Sequence, residues 1–404
     1  MPSALMDPST PDSTRITRSR AYFRSAGLRV RFFISPPFSD WDDESIVVSP
    51  TIAVARAKLQ SCRHRRRLFL DNAGTHMPEN AASIDVSVVI PTYNRGSQLR
   101  PLLDALLQQD TRGITYEVLV VDNNSRDNTA SVVEAARLSD RSGLIRYYFE
   151  PRQGVSNARN TGIANARAPI LAFIDDDVVP ARDWVYSMKR AFDEYPAADC
   201  IGGRVLPVWS RPRPSWLDAA HSGPLALQDW PEPRWFNRES AFNCLVSANL
   251  AFRREVFDEV GLFSPDFPRN QDRELEMRLW RAGKQGLYLP AIDVFVEIPE
   301  ERRTKRYHRR WRVTTGSYHA KLRFQDRVDG NGRLHDHEHG RRLFGTPLFM
   351  YRECLGHLIG WCKTIGSKDA DRRFYHESRL WYCASFFWTR LKTDVLPRRK
   401  AVTS

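Results

Sequence analysis

ILAFIDDD, residues 170–177, sets five apolar residues against three carboxylates, and its reading decides the fold. A short, fully apolar run ending in acid reads as a strand of a parallel sheet, whose C-terminal edge is where ligands collect. Asp175, Asp176 and Asp177 at such an edge repel one another unless a cation gathers them. Carboxylate oxygens select Mg2+ or Mn2+, and such an ion completes its shell with water and substrate phosphates. The expected ligand is therefore a nucleotide diphosphate or triphosphate. The competing reading is a solvated acidic turn capping a helix that begins near Arg182.

Working outward, the chain repeats the same unit twice before this point. Val86 to Ile90 is a β-branched run, followed by Pro91-Thr92-Tyr93-Asn94-Arg95-Gly96 and a helical pattern at Leu99, Leu102, Leu103 and Leu106. Glu117 to Val121 is a second strand, ending in Asp122-Asn123-Asn124-Ser125 before a helix near Asp127 and Asn128. Apolar runs alternating with helical segments predict an α/β fold with a Rossmann-like, mainly parallel central sheet flanked by helices. Asp122 and Asp175 then face one crevice.

VSVVIPTYNR, EVLVVDNNSRDNT, GVSNARNTGIANARAPILAFIDDD, SANLAFRREVFDEVGLF and QDRELEMRLWRAG stand in an order and spacing that resembles the family 2 glycosyltransferases of the GT-A fold, from about Val86 to Trp311. The resemblance implies an inverting enzyme that moves a sugar from a nucleotide diphosphate, with a weak preference for uridine. It implies that Pro91, Thr92 and Tyr93, with Arg95 of the same loop, line the nucleotide pocket, that Asp122 contacts the base, and that Asp175 to Asp177 bind ribose and the metal-diphosphate. Asp272 aligns with the family's catalytic base. Independently of the family, transfer needs a cation on the leaving phosphates and a carboxylate to take the acceptor's proton. Asp177, with Asp175, is the expected metal ligand, and Asp272 opens a helix marked by Leu275, Leu279 and Ala282. The plainer reading of Asp272 is a helix-start carboxylate favoured by the macrodipole.

Arg159 and Asn160 are candidates for the diphosphate or ribose, against a simply solvated arginine. Gly203, after Gly202, marks a bulge or the approach of a sugar. Asn249 falls where the family has an asparagine near the donor or acceptor sugar. Pro207 to Asn243 lacks either period and carries Trp209, Trp216, Trp230 and Trp235, as a lid or a packed loop would. Gln271-Asp272 keeps one carboxylate of an acidic pair. The family's histidine metal ligand is missing near Val296, leaving Glu297 or His308 as substitutes. Arg310-Trp311 resembles half of the QxxRW element, which places Trp311 near the sugars, while Tyr307 in the glutamine position argues against processivity.

Charge divides the chain. Residues 77–300 hold 25 Lys+Arg against 31 Asp+Glu, and residues 301–404 hold 24 against 10, so the net charge of +13 belongs to the C-terminal part. The expected division is a basic, poorly ordered extension over 1–80, a catalytic domain over 81–311 and a basic amphipathic helical region over 312–404. No apolar stretch is long enough to span a bilayer, so an anionic membrane surface on the cytoplasmic side is the expected partner, against helices packed on the enzyme. A lipid-linked or saccharide acceptor follows from that placement. No nucleic-acid motif accompanies the charge. No secretory signal is read at the N-terminus, where Arg63 to Arg67 form a basic cluster and Met77 is the suspected functional start. Six scattered cysteines, Cys62 among them, fit a reducing compartment. His335, His337 and His339 read as a solvated turn or a metal tract. A sugar-nucleotide pyrophosphorylase and a non-catalytic nucleotide-sugar binding protein are the rival classes.

Overall fold

Alternate residues of the first strand feed two separate cores. In β1 (Val86–Thr92), Val88 and Ile90 pack with Leu99, Leu102 and Leu106 of α1 (Gly96–Leu107), while Val89 packs with Leu119, Phe173 and Ile163 on the other face. Burial on both faces is why these strands read as unbroken apolar runs. The structure, a computed structural model, describes residues 83–236, 244–327, 335, 338 and 340–396. The expectations for the 1–80 extension, Cys62, the Arg63 to Arg67 cluster, Met77, His337 and His339 lie outside the described residues.

The chain continues as β2 (Tyr116–Asp122), α2 (Thr129–Ser139), β3 (Ile145–Phe149), α3 (Val155–Asn165), β4 (Ile170–Ile174), β5 (Val178–Pro180), α4 (Trp184–Glu194), β6 (Cys200–Val208) and β7 (Arg234–Phe236). Then follow β8 (Asn249–Arg253), α5 (Glu255–Val260), α6 (Gln271–Arg281), β9 (Gly286–Glu297) and α7 (Lys305–Leu322). A two-strand ribbon, β10 (Arg342–Leu343) and β11 (Thr346–Pro347), precedes α8 (Leu348–Thr364) and α9 (Ala370–Arg390).

The large sheet runs β3-β2-β1-β4-β8-β6-β9-β5, with β7 also on β9. Strands β3, β2, β1 and β4 are parallel, as expected for a Rossmann-like half, and their C-terminal ends bring residues 91–95, 122–125 and 175–177 to one edge. Beyond β4 the sheet is mixed: β8 is antiparallel to both β4 and β6. Because β5 follows the trio directly and α4 starts after Asp183, the three aspartates do not cap that helix.

The expected boundary at 311/312 is corrected. Helix α7 runs straight across it, and α9 packs along α7, where Gly316 is required because a Cβ there would collide with the Tyr382 carbonyl. Ser385 Oγ donates to the Val313 carbonyl at 2.5 Å, and a buried Arg390–Asp326 ion pair closes the far end. The described part of residues 80–404 is thus one compact unit.

Polar side chains fill this seam. His308 is 0% exposed; its Nε2–H donates to the Arg302 carbonyl at 3.0 Å, and burial drops its pKa to about 4. Burial likewise lowers His319 to about 3 and His357 to about 4. Each folded-state pKa lies below the usual 6.5, so the unfolded chain takes up protons first, and stability present above pH 6.5 is lost as pH falls toward 4. The His308 shift alone corresponds to on the order of 3 kcal/mol. Asp176, raised to about 7, gains stability over the same window, so the imidazole share is read by difference: His308→Gln should lose less stability between pH 6.5 and 4 than the wild type does, and equal slopes would contradict a neutral, buried His308.

Candidate active site

A cleft of about 420 Å³ opens at the C-terminal edge of the parallel strands. Its floor is the trio. Asp175 has a side chain 38% exposed to the cleft and accepts from Arg159 Nη2 at 3.0 Å. Thr92 Oγ1 donates to Asp176 Oδ2 at 2.8 Å, and Asp177 accepts from Arg95 Nη1 at 2.7 Å and Arg302 Nη2 at 3.3 Å. Loss of solvation pushes Asp176 up to about 7, against the pull of Arg95, and Asp177 and Asp175 repel it further. Reduced solvation at the cleft floor also raises Asp175, with Arg159 opposing and the charges of Asp177 and Asp272 adding. The three carboxylates are crowded and poorly solvated, and three guanidiniums offset their charge.

Arg159 is the unusual group. Helix α3 presents it from beneath, 2% exposed, its guanidinium 5.4 Å from the Phe263 ring centre. Nη2 serves Asp175, whereas Nε and Nη1 have no hydrogen-bond partner among the described residues. A buried guanidinium at the wall of a cleft is suited to an anion through its charge. The solvated-arginine reading is therefore corrected. Asn160, its neighbour, exchanges hydrogen bonds with the Phe263 backbone and holds that loop instead.

Asp272 sits in the first turn of α6, accepting from Ser247 Oγ at 3.2 Å. Its charge reaches Asp175, but Asp272 is not itself among the cleft residues, where Gln271, one residue earlier, stands. The Ser247 segment is itself pinned by Leu245 N–H donating to Glu276 Oε1 at 2.8 Å. Burial raises the Glu276 pKa well above the carboxylate range.

Pro91, Thr92, Tyr93 and Arg95 line the cleft as the sequence suggested. Asp122 does not: Tyr147 Oη and the Ser125 N–H each donate to it at 2.8 Å, so it shapes the loop, and Asn123 lines the cleft in its place. Asn249 is corrected from sugar contact to core. It is 0% exposed, accepts from Trp184 Nε1 and donates to the Arg204 and Ile292 carbonyls, leaving nothing for a ligand. Gly203 is likewise buried at a register shift, where a Cβ would collide with the Ile292 carbonyl, so backbone rather than sugar approaches it. Trp311 packs beside Gly223 and is not among the cleft residues. Glu297 is exposed on the sheet face opposite to Val296, which lines the cleft, and His308 is sealed against Trp216; neither reaches the trio. Trp209 and Trp216 pack on the first core and Trp230 on Tyr288, so three tryptophans fasten the described part of the loop from 207, while Trp235 is 41% exposed.

Arg302, in the turn that follows β9, is not legible in the sequence as a site residue. It stands 125 positions from Asp177 and reads there only as part of the basic C-terminal excess. Among the described residues no three His, Cys, Asp or Glu side chains form a metal cage. Asp175 and Asp177, whose side chains are 38% and 20% exposed at the cleft floor, still fit a Mg2+ or Mn2+ ion that shares its shell with phosphates and water.

Residues 87–261 match the model for glycosyl transferase family 2. This span is a family 2 glycosyl transferase domain. The family 2 domain takes in the trio, Arg95 and Arg159, whereas Asp272 and Arg302 lie beyond the matched span. Glycosyltransferase AglE of Haloferax volcanii is 32% identical over 181 residues, covering 44% of this chain and 55% of the relative. Pre-mycofactocin glycosyltransferase of Mycobacterium tuberculosis is 31% identical over 228 residues, covering 55% and 45%. The chain thus spans about half the length of the curated relatives it matches. The structure of mannosyltransferase PcManGT from Pyrobaculum calidifontis, with GDP-Man and Mn2+, shares 18% identity at a TM-score of 0.49, covering 85% of this chain and 97% of that one.

Proposed function

We propose that this protein transfers a sugar from a nucleotide-diphosphate donor, with uridine the preferred base, to a hydroxyl of a saccharide or lipid-linked acceptor. The observation that carries this is one cleft lined by the acidic trio and a buried Arg159, with the charge of Asp272 reaching Asp175. On this reading β3-β2-β1-β4 is the nucleotide-binding half of a GT-A fold, with the nucleoside against Pro91, Thr92 and Tyr93.

Arg159, Arg95 and Arg302 orient the diphosphate and offset the charge that grows as the sugar leaves. Asp177 and Asp175 would hold a Mg2+ or Mn2+ ion, which when bound supplies Lewis-acid stabilisation of the leaving phosphates. Asp272 takes the acceptor proton, and its hydrogen bond to Ser247 keeps the carboxylate aimed. A single carboxylate in that role corresponds to one displacement with inversion, and transfer is non-processive. The acceptor is presented at an anionic membrane on the cytoplasmic side. A pyrophosphorylase is less well supported, because the loop after β1 is PTYNRG rather than glycine-rich and basic. A non-catalytic binder gives no reason for Asp272 beside Asp175.

A thermal-shift panel of nucleotide sugars with Mn2+ tests the reading. A donor at a hundred times its Kd adds about 2.7 kcal/mol of stability, or about 3–4 °C in a chain of this size. UDP-sugars are expected to give that shift. Silence across the whole panel, with Mn2+ and with Mg2+, would overturn the assignment.

A further inference from the structure

The outer face of α8 carries an apolar stripe that the described residues leave exposed. Of its 17 residues only Met350 and Thr364 are buried. Leu348, Leu355 and Ile359 are 45%, 55% and 47% exposed and recur at helical spacing, with Leu358 at 40% beside them. The ribbon preceding the helix extends this face. Phe344 and Gly345 form its two-residue turn, with φ of 48° and 72°, so an aromatic ring is held in the left-handed region at the tip and is 58% exposed. Tyr351 Oη donates to the Leu343 carbonyl at 2.8 Å, tying ribbon to helix.

Cations flank the stripe. Arg352 and Lys363 fall beside Leu355 and Ile359 on the helical wheel, Arg341 precedes the ribbon, and all three are exposed with no ion pair to the described residues. Glu353 is the one carboxylate on α8. Among the described residues no helix is long and apolar enough to cross a membrane. A helix with an apolar face, flanking cations and too little length or hydrophobicity to span has the pattern of one lying in the headgroup layer of an anionic bilayer.

We propose that α8, with the Phe344 turn, is the docking surface for an anionic membrane: Leu348, Leu355, Ile359 and Phe344 enter the acyl boundary while Arg341, Arg352 and Lys363 meet lipid phosphates. This deepens the membrane placement proposed above and rests on that part of it, not on the transfer chemistry.

The test is co-sedimentation of the full chain with phosphatidylcholine vesicles, with and without phosphatidylglycerol. The wild type is expected to bind the phosphatidylglycerol vesicles and to be released by salt. Leu355→Asp with Ile359→Asp should weaken binding at least about tenfold, and Arg352→Glu with Lys363→Glu should both weaken it and flatten its salt dependence. Both variants alter exposed side chains, so unchanged melting temperature serves as the folding control. Wild type that ignores phosphatidylglycerol, or variants that bind as wild type does, would overturn the proposal. So would a light-scattering mass of two chains that falls to one in Leu355→Asp with Ile359→Asp, which would make the stripe a contact between copies. A chain that docks on vesicles yet ignores every nucleotide sugar would sink the transferase reading and leave this surface standing.

Discussion

Asp272→Asn is expected to slow sugar transfer by about 10²- to 10⁴-fold, the range for loss of a general base, with nucleotide binding intact. The amide has the carboxylate's shape, and its oxygen can still accept from Ser247 Oγ, which holds the native side chain at 3.2 Å. What it cannot do is take a proton. The loss should therefore appear in kcat with the donor KM little changed, as for an interaction made only in the transition state. The rival role, a carboxylate favoured by the start of α6, predicts a different pattern: about 0.3–1 kcal/mol of lost stability and no loss of rate. Steady-state kinetics and a melting curve on one variant separate the two. Turnover within a few-fold of wild type would remove Asp272 from the chemistry.

What the sequence made legible follows from where neighbours in space are also neighbours in the chain. β1, β2 and β4 were readable because they are buried on both faces, and the trio because its members are consecutive. Arg302 was not, since β9 must pair antiparallel to β5 before the turn beyond its end returns to Asp177. Asn249 misled for the converse reason: a polar residue in a family-like segment suggests a ligand contact, and only the tertiary approach of Trp184, Arg204 and Ile292 shows it saturated. The false boundary at 311 has its own cause. The buried face of α7 holds His308, Arg312 and Thr315, so the helix carries no apolar stripe across that point although it is packed against its neighbours. Burial leaves the same mark on Arg312, whose pKa falls to about 10.

Asp177→Asn is expected to cut the Mn2+-dependent gain in nucleotide affinity by at least about 10²-fold, more than the loss seen when only a group supporting a metal ligand is removed. The native carboxylate has two duties on this reading, and they pull in opposite directions. As a partner of Arg95 at 2.7 Å and Arg302 at 3.3 Å, it holds both guanidiniums on the cleft floor. As a metal ligand, it joins Asp175 in gripping the ion that the diphosphate shares. Losing the first duty frees two cations, so nucleotide affinity measured with a chelator present should stay level or rise. Losing the second removes the difference that Mn2+ makes. Calorimetric titration of UDP with and without Mn2+ therefore reads the two duties separately in one variant. If the Asp177→Asn variant kept the Mn2+ increment whole and lost only chelator-treated affinity, Asp177 would be a scaffold for arginines, and the cation would have to be held elsewhere on the trio.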